Sequence, residues 1–339
     1  MLKHLEALCR LCGTSGSEQE VRAYIWQAVG ELGTCQVDPL GNLLVLRRGR
    51  QGAGKTLMLS AHMDEVGMIV TSIRSDGSLT FSPVGGVDPF VMIGRQVLVG
   101  DQKLPGVIGA KAVHKLTAAQ RDQAPVCDAL SIDIGAADAE QAKRYVRPGD
   151  LVHFQPNYRR MGDGMIASKA LDDRAGCAIL LDLLEREPEY DTWFAFLVQE
   201  EVGLRGAMTA AYTIAPDYAI VLETTTASDI PDVSGAKQVC RVGDGAVVSF
   251  MDRSTLYDRE LYRLAFETGA QMQIPVQTKT MIAGGNDSGA IHISGKGVRT
   301  LAISAPCRYL HSPSCLLSYQ DLCACEQLAG AMMQRIWQL

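Results

Sequence analysis

The sequence has no basic block, no long apolar run and no paired-cysteine motif, and each absence removes a class of function. Lysine and arginine total 32 against 38 aspartates and glutamates, for a net charge of −6. Without a cluster of cations, nucleic acid is not an expected partner. No uncharged apolar run reaches the roughly 18 residues a membrane span needs. The start, Met1-Leu2-Lys3-His4-Leu5-Glu6, lacks a signal-peptide pattern, because a histidine and a glutamate interrupt it early. No Lys-Ser/Thr follows the pair Gly284-Gly285, so that loop is not read as a phosphate cradle. Neither internal repeats nor low-complexity segments occur.

Ten cysteines are present, but Cys323 and Cys325 are two apart rather than in a C-x-x-C pair. Most lie in apolar segments, as do Cys9, Cys12, Cys177 and Cys240. The expectation is reduced, buried thiols in a cytoplasmic protein. Apolar residues make up 47% and charged residues 21% of 339, an ordinary globular balance over a length that suits about two domains.

The chain divides by texture. Leu2, Leu5, Leu8 and Leu11 recur every three residues, as on one helix face. Ser17 and Glu20 form a capping-box pattern before a second stripe from Val21 to Leu32. Strands are expected at Leu43–Leu46 and Thr56–Ser60. From Glu65 to Gly162 helical periodicity nearly vanishes. Short β-rich runs at Gly67–Ile73, Gln96–Gly100 and Gly106–Gly109 alternate with turns, and one helical stretch, Asp138–Tyr145, interrupts them. Beyond Ser168, strands (Trp193–Val198, Tyr218–Leu222, Arg299–Ser304) alternate with helices (Leu171–Arg186, Leu204–Ala211, Asp258–Thr268, Ser318–Leu339). This pattern predicts an α/β protein: a mixed-sheet α/β/α sandwich with a small inserted β-rich, barrel-like domain. The expected boundaries are residues 1–65 and 163–339 for the sandwich and 66–162 for the insertion.

Charged groups stand where strands end or helices begin, a costly placement unless something neutralises them. His62-Met63-Asp64 follows an apolar strand. His62 suits a metal, and Asp64, two residues on, would hold the imidazole's tautomer. Asp172-Asp173 opens a helix. Asp172 would bridge two metals, while Asp173 would cap the helix or pair with Arg174. Glu200-Glu201 follows the next strand. Adjacent extended residues point oppositely, so Glu201 would bind metal and Glu200 would act as general base. Glu223, ending its strand, and His311, in the loop after Ser304, complete the set. Each motif alone also fits a surface turn, a helix cap or a solvated acid. Together they balance: two divalent cations are close to neutralised by Asp172, Glu201, Glu223 and a hydroxide. Sites in α/β proteins also lie beyond the carboxyl edge of the sheet. His114 is a candidate lid or neighbouring-subunit contact. His4, His153 and His292 read as structural or solvated.

Five stretches together resemble the M42 family of metalloaminopeptidases, whose members include some labelled glutamyl aminopeptidase or endoglucanase. They are Ser60-Ala61-His62-Met63-Asp64-Glu65-Val66-Gly67, Gly106-Val107-Ile108-Gly109-Ala110-Lys111, Ala170-Leu171-Asp172-Asp173-Arg174-Ala175-Gly176, Gln199-Glu200-Glu201-Val202-Gly203-Leu204-Arg205-Gly206-Ala207 and Arg308-Tyr309-Leu310-His311-Ser312-Pro313. The resemblance implies two divalent metal ions, zinc or cobalt, with manganese also suited to the ligands. One would take His62, Asp172 and Glu223, the other Asp172, Glu201 and His311. Asp64 would support His62, and Glu200 would activate the water. A dimerising β-rich insertion and often a tetrahedral dodecamer are also implied. The chain departs from the family in having Glu223 where Asp is usual and Asn286 where Thr is usual. The expected activity is metal-dependent release of N-terminal residues from peptides. The alternatives are a metal-dependent deacylase of N-acyl amino acids and a catalytically silent assembly or binding subunit. Carbohydrate cleavage by paired carboxylates would not need the two histidines.

Overall fold

The computed structural model describes every residue except Ala53 and, for its side chain, Ala236. The sandwich follows from alternation along the central strands. The strands that build its sheet are β1 (Thr34–Val37), β2 (Leu43–Arg47) and β3 (Leu57–His62) before the insertion. Those of the insertion are β4 (Gly67–Ile73), β5 (Leu79–Val84), β6 (Gln96–Val99), β7 (Leu104–Ala110), β8 (Leu130–Asp133) and β9 (Leu151–Phe154). The sheet resumes with β10 (Arg159–Met161), β11 (Met165–Ser168), β12 (Thr192–Leu197), β13 (Tyr218–Thr226), β14 (Ala246–Val248), β15 (Val276–Thr278), β16 (Arg299–Arg308) and β17 (Cys315–Ser318).

The sheet's order is β1-β2-β12-β3-β13-β16-β17-β11-β10, with β14 and β15 as a side branch. β12, β3, β13 and β16 run parallel, and the flanking strands are antiparallel. Successive residues go to opposite cores, as the period of two requires. Leu57, Leu59, Phe194, Phe196, Ile220 and Leu222 pack on helices Leu2–Cys9, Gln19–Val29, Leu171–Leu184, Arg259–Met272 and Tyr319–Arg335. Met58, Ala195, Leu197, Ala219 and Val221 face Ala207, Ala210, Ala211 and Ile291 on the other side. Residues buried on both faces read as continuous apolar runs, which is why these strands were visible in the sequence.

The insertion is a closed barrel, β4-β5-β8-β7-β6-β9, with its own core of Met68, Phe81, Val97, Ile108, Ile132 and Phe154. Closure occurs where Met68 pairs with Val152.

Several local expectations are corrected. The capping box of Ser17 and Glu20 does not form. The helix Gln19–Val29 is preceded by Glu18, whose carboxylate accepts instead from the amides of Gly16 (2.8 Å) and Gln199 (3.2 Å). Glu20 pairs across to Lys103 of the barrel at 2.6 Å. The helix expected over Asp138–Tyr145 is a single turn, Ala139–Ala142, capped by Asp138. The edge strand β1, exposed and without an apolar run, had no signal. The ten cysteines are all free, seven of them buried. Among the described residues no helix is long and apolar enough to cross a membrane.

Candidate metal centre

The parallel register assembles the first acids. His62 is the last residue of β3 and is level with Leu197, the last of β12. On the other side Tyr218 of β13 is level with Leu57, and the same register carried forward puts Glu223 beside His62. Glu223 therefore lies inside β13, not at its end as the sequence suggested. Glu200 and Glu201 are placed by a turn rather than by strand alternation. Gln199 adopts a left-handed conformation (φ 57°), and the amides of Gly203 and Leu204 bond back to the Glu200 carbonyl. Left-handed backbone at a non-glycine residue costs about 1–2 kcal/mol, and it recurs at Ala170 and His311 beside other members of the cluster. Such concentration is characteristic of functional sites.

Asp172 is central. Its Oδ1 lies 3.5 Å from His62 Nε2, and its Oδ2 lies 3.4 Å from His311 Nε2. Glu223 Oε2 lies 3.7 Å from His62 Nε2, and Glu201 Oε2 lies 3.5 Å from His311 Nε2. The five sequence-predicted ligands thus converge around one carboxylate with an oxygen directed to each side. Asp173, joined to Asp172 by a cis peptide, accepts from the Gly176 amide at 2.9 Å and so caps the helix. A Cβ on Gly176 would sit 2.4 Å from Asp173 Oδ2, so glycine is what lets the cap close. Asp173 also groups with His62 and Glu223, as Asp172 and Glu201 do with His62, each trio having ligand atoms within 4.8 Å of one another. Arg174 pairs with Glu65 at 3.3 Å, not with Asp173.

Asp64 does more than the sequence indicated. The His62 Nδ1 lies 3.1 Å from the Asp64 backbone carbonyl and 3.4 Å from its carboxylate. That carboxylate accepts from Ser15 Oγ (2.6 Å) and from the amides of Glu200 (3.0 Å) and Glu201 (3.2 Å). One buried side chain thereby fixes both the imidazole and the acidic turn. On the opposite side the Gly86 carbonyl, from the barrel, holds His311 Nδ1 at 3.1 Å and leaves Nε2 facing Asp172. Ser15 and Gly86 gave no interpretable signal in the sequence, and Asp287 stood out only as the acid that follows Asn286. Asp287 is wholly buried, its two oxygens lack hydrogen-bond partners, and Glu200 is its strongest charged neighbour. His114 is exposed on the barrel and does not line the cavity of its own chain. His153 is buried against Thr14 Oγ1 at 2.9 Å, and burial pushes it down to about 4.

The cluster carries excess negative charge: Asp64, Asp172, Asp173, Glu200, Glu201, Glu223 and Asp287 surround two imidazoles. Burial, joined by neighbouring carboxylates and opposed by His62, pushes Glu200 up to about 8. Burial and Asp172 push Glu201 up to about 8. Burial also drives Glu223 and Asp173 well above the carboxylate range. Burial disfavours the His62 imidazolium, but Asp172 and Asp64 outweigh it and hold the group well above its ordinary value. His311 is raised to about 10, chiefly by Asp172. Asp172 Oδ1 and Glu223 Oε1 are buried without a hydrogen-bond partner. An unpaired buried polar atom costs about 1–3 kcal/mol, and a divalent cation satisfies several such atoms at once. Imidazole and carboxylate donors suit zinc, cobalt or manganese. The residues present therefore fit a divalent-metal site.

The M42 glutamyl aminopeptidase family profile matches residues 41–328. The chain is 30% identical to a glutamyl aminopeptidase of Lactococcus lactis subsp. cremoris, covering 97% of this chain and 94% of that one. It is 31% identical to a lysyl aminopeptidase of Pyrococcus furiosus, covering 89% and 87%. The structure of the TET1 peptidase of Pyrococcus horikoshii, described as able to assemble into a tetrahedron or a large octahedral shell, superposes with a TM-score of 0.86. It is 32% identical and covers 98% of each chain. With the sandwich, the barrel and the acidic cluster in place, the chain belongs to the M42 family of aminopeptidases and is a peptide hydrolase.

Proposed function

We propose that this chain is a dinuclear-metal aminopeptidase that removes N-terminal residues from peptides. The observation that carries the reading is the Asp172 carboxylate, with one oxygen toward His62 and the other toward His311. His62, Asp172 and Glu223 would hold one divalent ion, and Asp172, Glu201 and His311 the other. Bound there, zinc, cobalt or manganese would supply Lewis acidity to the scissile carbonyl and lower the pKa of water.

The chain's own residues do the rest. Glu200 lines the cavity beside the ligands and is anchored through its amide to Asp64. It takes the proton from the attacking water and returns it to the leaving amine, a role that requires it within hydrogen-bond reach of both. Asp64 keeps His62 and the Glu200–Glu201 turn in register. The acidic lining of the cavity favours a free N-terminal amine over an acylated one, which separates this reading from an N-acyl deacylase. All six positions hold competent residues, which counts against a silent binding subunit.

The insertion, residues 66–162, is read as the dimerisation domain, leaving residues 1–65 and 163–339 as the catalytic domain. Exposed Phe90, Val113 and Val126 on the barrel segment support a contact surface there. A dimer or tetrahedral dodecamer belongs to the same reading and is supported by the TET1 relative, described as able to assemble into a tetrahedron or a large octahedral shell. A cytoplasmic location belongs to the same reading and is supported by the free cysteines.

The test uses chelator-stripped protein with zinc, cobalt or manganese restored, on amino-acid anilides and their N-acetylated counterparts. Free-amine substrates should be cleaved only with metal. Glu200→Gln should lower kcat by about 10²- to 10⁴-fold with metal content unchanged. Preferential cleavage of acetylated substrates would make the protein a deacylase.

A further inference from the structure

Residues of the cluster line a cavity of ≈ 660 Å³. Beside polar Thr224, Thr225 and Ser228, its lining includes apolar Ile230, Val233, Val239, Met281 and Leu310. Its other charged lining groups are unequal in sign. Every carboxylate on its surface belongs to the cluster, whereas Lys237 and Lys279 lie elsewhere in the lining.

Lys279 is built in. It follows β15 directly, and its amide donates to the Val248 carbonyl at 3.2 Å, tying it to the sheet. The side chain is half-buried, and its Nζ donates to the Ala283 carbonyl at 2.8 Å. An ammonium has three protons, and among the described residues no carboxylate forms an ion pair with this one. The nearby acids are engaged elsewhere. Asp252 accepts from Ser254, Thr255 and Tyr257, and Glu223 belongs to the cluster. Burial lowers the Lys279 pKa, so its charge carries a desolvation cost that a ligand carboxylate would offset. Lys237 is exposed and adds a second cation to the lining.

We infer that Lys279 is the specificity-determining residue for the substrate's N-terminal side chain, and that it selects acidic residues, glutamate or aspartate. The inference rests on the aminopeptidase reading. It is not given by family membership, since relatives named for glutamyl and for lysyl substrates are about equally similar to this chain. A half-buried cation with donors to spare forms a charge-assisted bond to a ligand carboxylate and goes without it when the ligand lacks one, which is how polar pockets discriminate.

The test compares kcat/KM for glutamyl, aspartyl, leucyl and lysyl anilides on the metal-loaded enzyme. Acidic substrates should lead by about tenfold or more. Lys279→Met should lower the glutamyl-to-leucyl ratio by about 10- to 100-fold, mainly through KM. Lys279→Glu should move the preference toward lysyl anilide. A wild-type preference for leucyl or lysyl substrates, or an unchanged ratio in Lys279→Met, would overturn the inference. So would a Lys279→Met loss larger on Leu-Gly than on Leu-glycinamide, because the lysine would then read a peptide's C-terminal carboxylate. A turnover-free arm separates this inference from the parent reading: calorimetric binding of free glutamate, leucine and lysine to metal-loaded Glu200→Gln protein. Glutamate binding tightest supports the inference even if the enzyme cleaves no anilide. Leucine or lysine binding tightest overturns it.

Discussion

Two buried charge clusters lie within a few residues of each other, and they are built on opposite terms. In the first, Glu65 accepts from Lys169 Nζ at 2.7 and 2.8 Å and from Arg174 at 3.3 Å. Lys169 also bonds the Leu11 carbonyl, and Arg174 that of Leu8. All three side chains are nearly inaccessible. This ion-paired set, in which only Arg174 Nε lacks a partner, joins the first helix, the segment after β3 and the start of helix Leu171–Leu184. In the second, seven carboxyl groups face two imidazoles, and oxygens of Asp172, Asp173, Glu223 and Asp287 stand without partners. A cluster in which every charged side chain has an opposite partner is a structural joint. One that leaves them uncompensated is ready for cations.

The largest effect should come from breaking the ion-paired set. Glu65→Gln leaves two buried cations without an anion, and such a loss costs about 3–5 kcal/mol. Chemical denaturation should show that drop with metal present or absent. A change below about 1 kcal/mol would mean that the joint is not paired as described.

The open cluster should show itself through pH. In metal-free protein, Glu200, Glu201, Glu223, Asp173 and Asp287 have raised values in the folded state, as do His62 and His311. The folded state therefore binds more protons than the unfolded one across the neutral range, and stability falls as pH rises. Tm of stripped protein should decline from pH 5 to pH 8 by about 5 °C or more, and metal should remove much of that slope. Between the joint and the barrel the sign reverses. His153 is lowered to about 4 by burial, so its unfolded form takes up a proton first as pH falls. That contribution is present above the ordinary histidine value and is lost toward the lowered one. From pH 6.5 to 5 it amounts to about 2 kcal/mol, at 1.36 kcal/mol per pH unit. His153→Gln should lack that acid limb when its denaturation is compared with wild type. The smallest effect is expected of Asp287→Asn, which replaces a buried acid that must take up a proton on folding and should stabilise stripped protein at neutral pH by about 1 kcal/mol.

The sequence was legible where physics is local. Both-face burial made β3, β12 and β13 continuous apolar runs, and charged residues at their ends stood out against them. It was least legible where geometry comes from turns. The placement of Glu200 and Glu201 depends on a left-handed Gln199 and on Asp64 accepting two amides, neither of which periodicity can encode. Glu223 was legible as a candidate, but its position within β13 was not, because the strand continues through three threonines that interrupt the apolar signal. Ser15 and Gly86 reach the cluster only through tertiary contacts with Asp64 and His311. The same limit kept Glu65, Lys169 and Arg174 from being read as one unit. Their separation along the chain hides a contact that only the fold creates.

The most direct measurement is the number of divalent ions bound per chain, by calorimetric titration of stripped protein with zinc or cobalt, alongside Asp172→Asn. Two ions per wild-type chain are expected, with weakened binding of both in the variant, since one carboxylate serves both positions. A single ion, or a variant that loses only one of two, would contradict the shared role of Asp172 on which the whole reading depends.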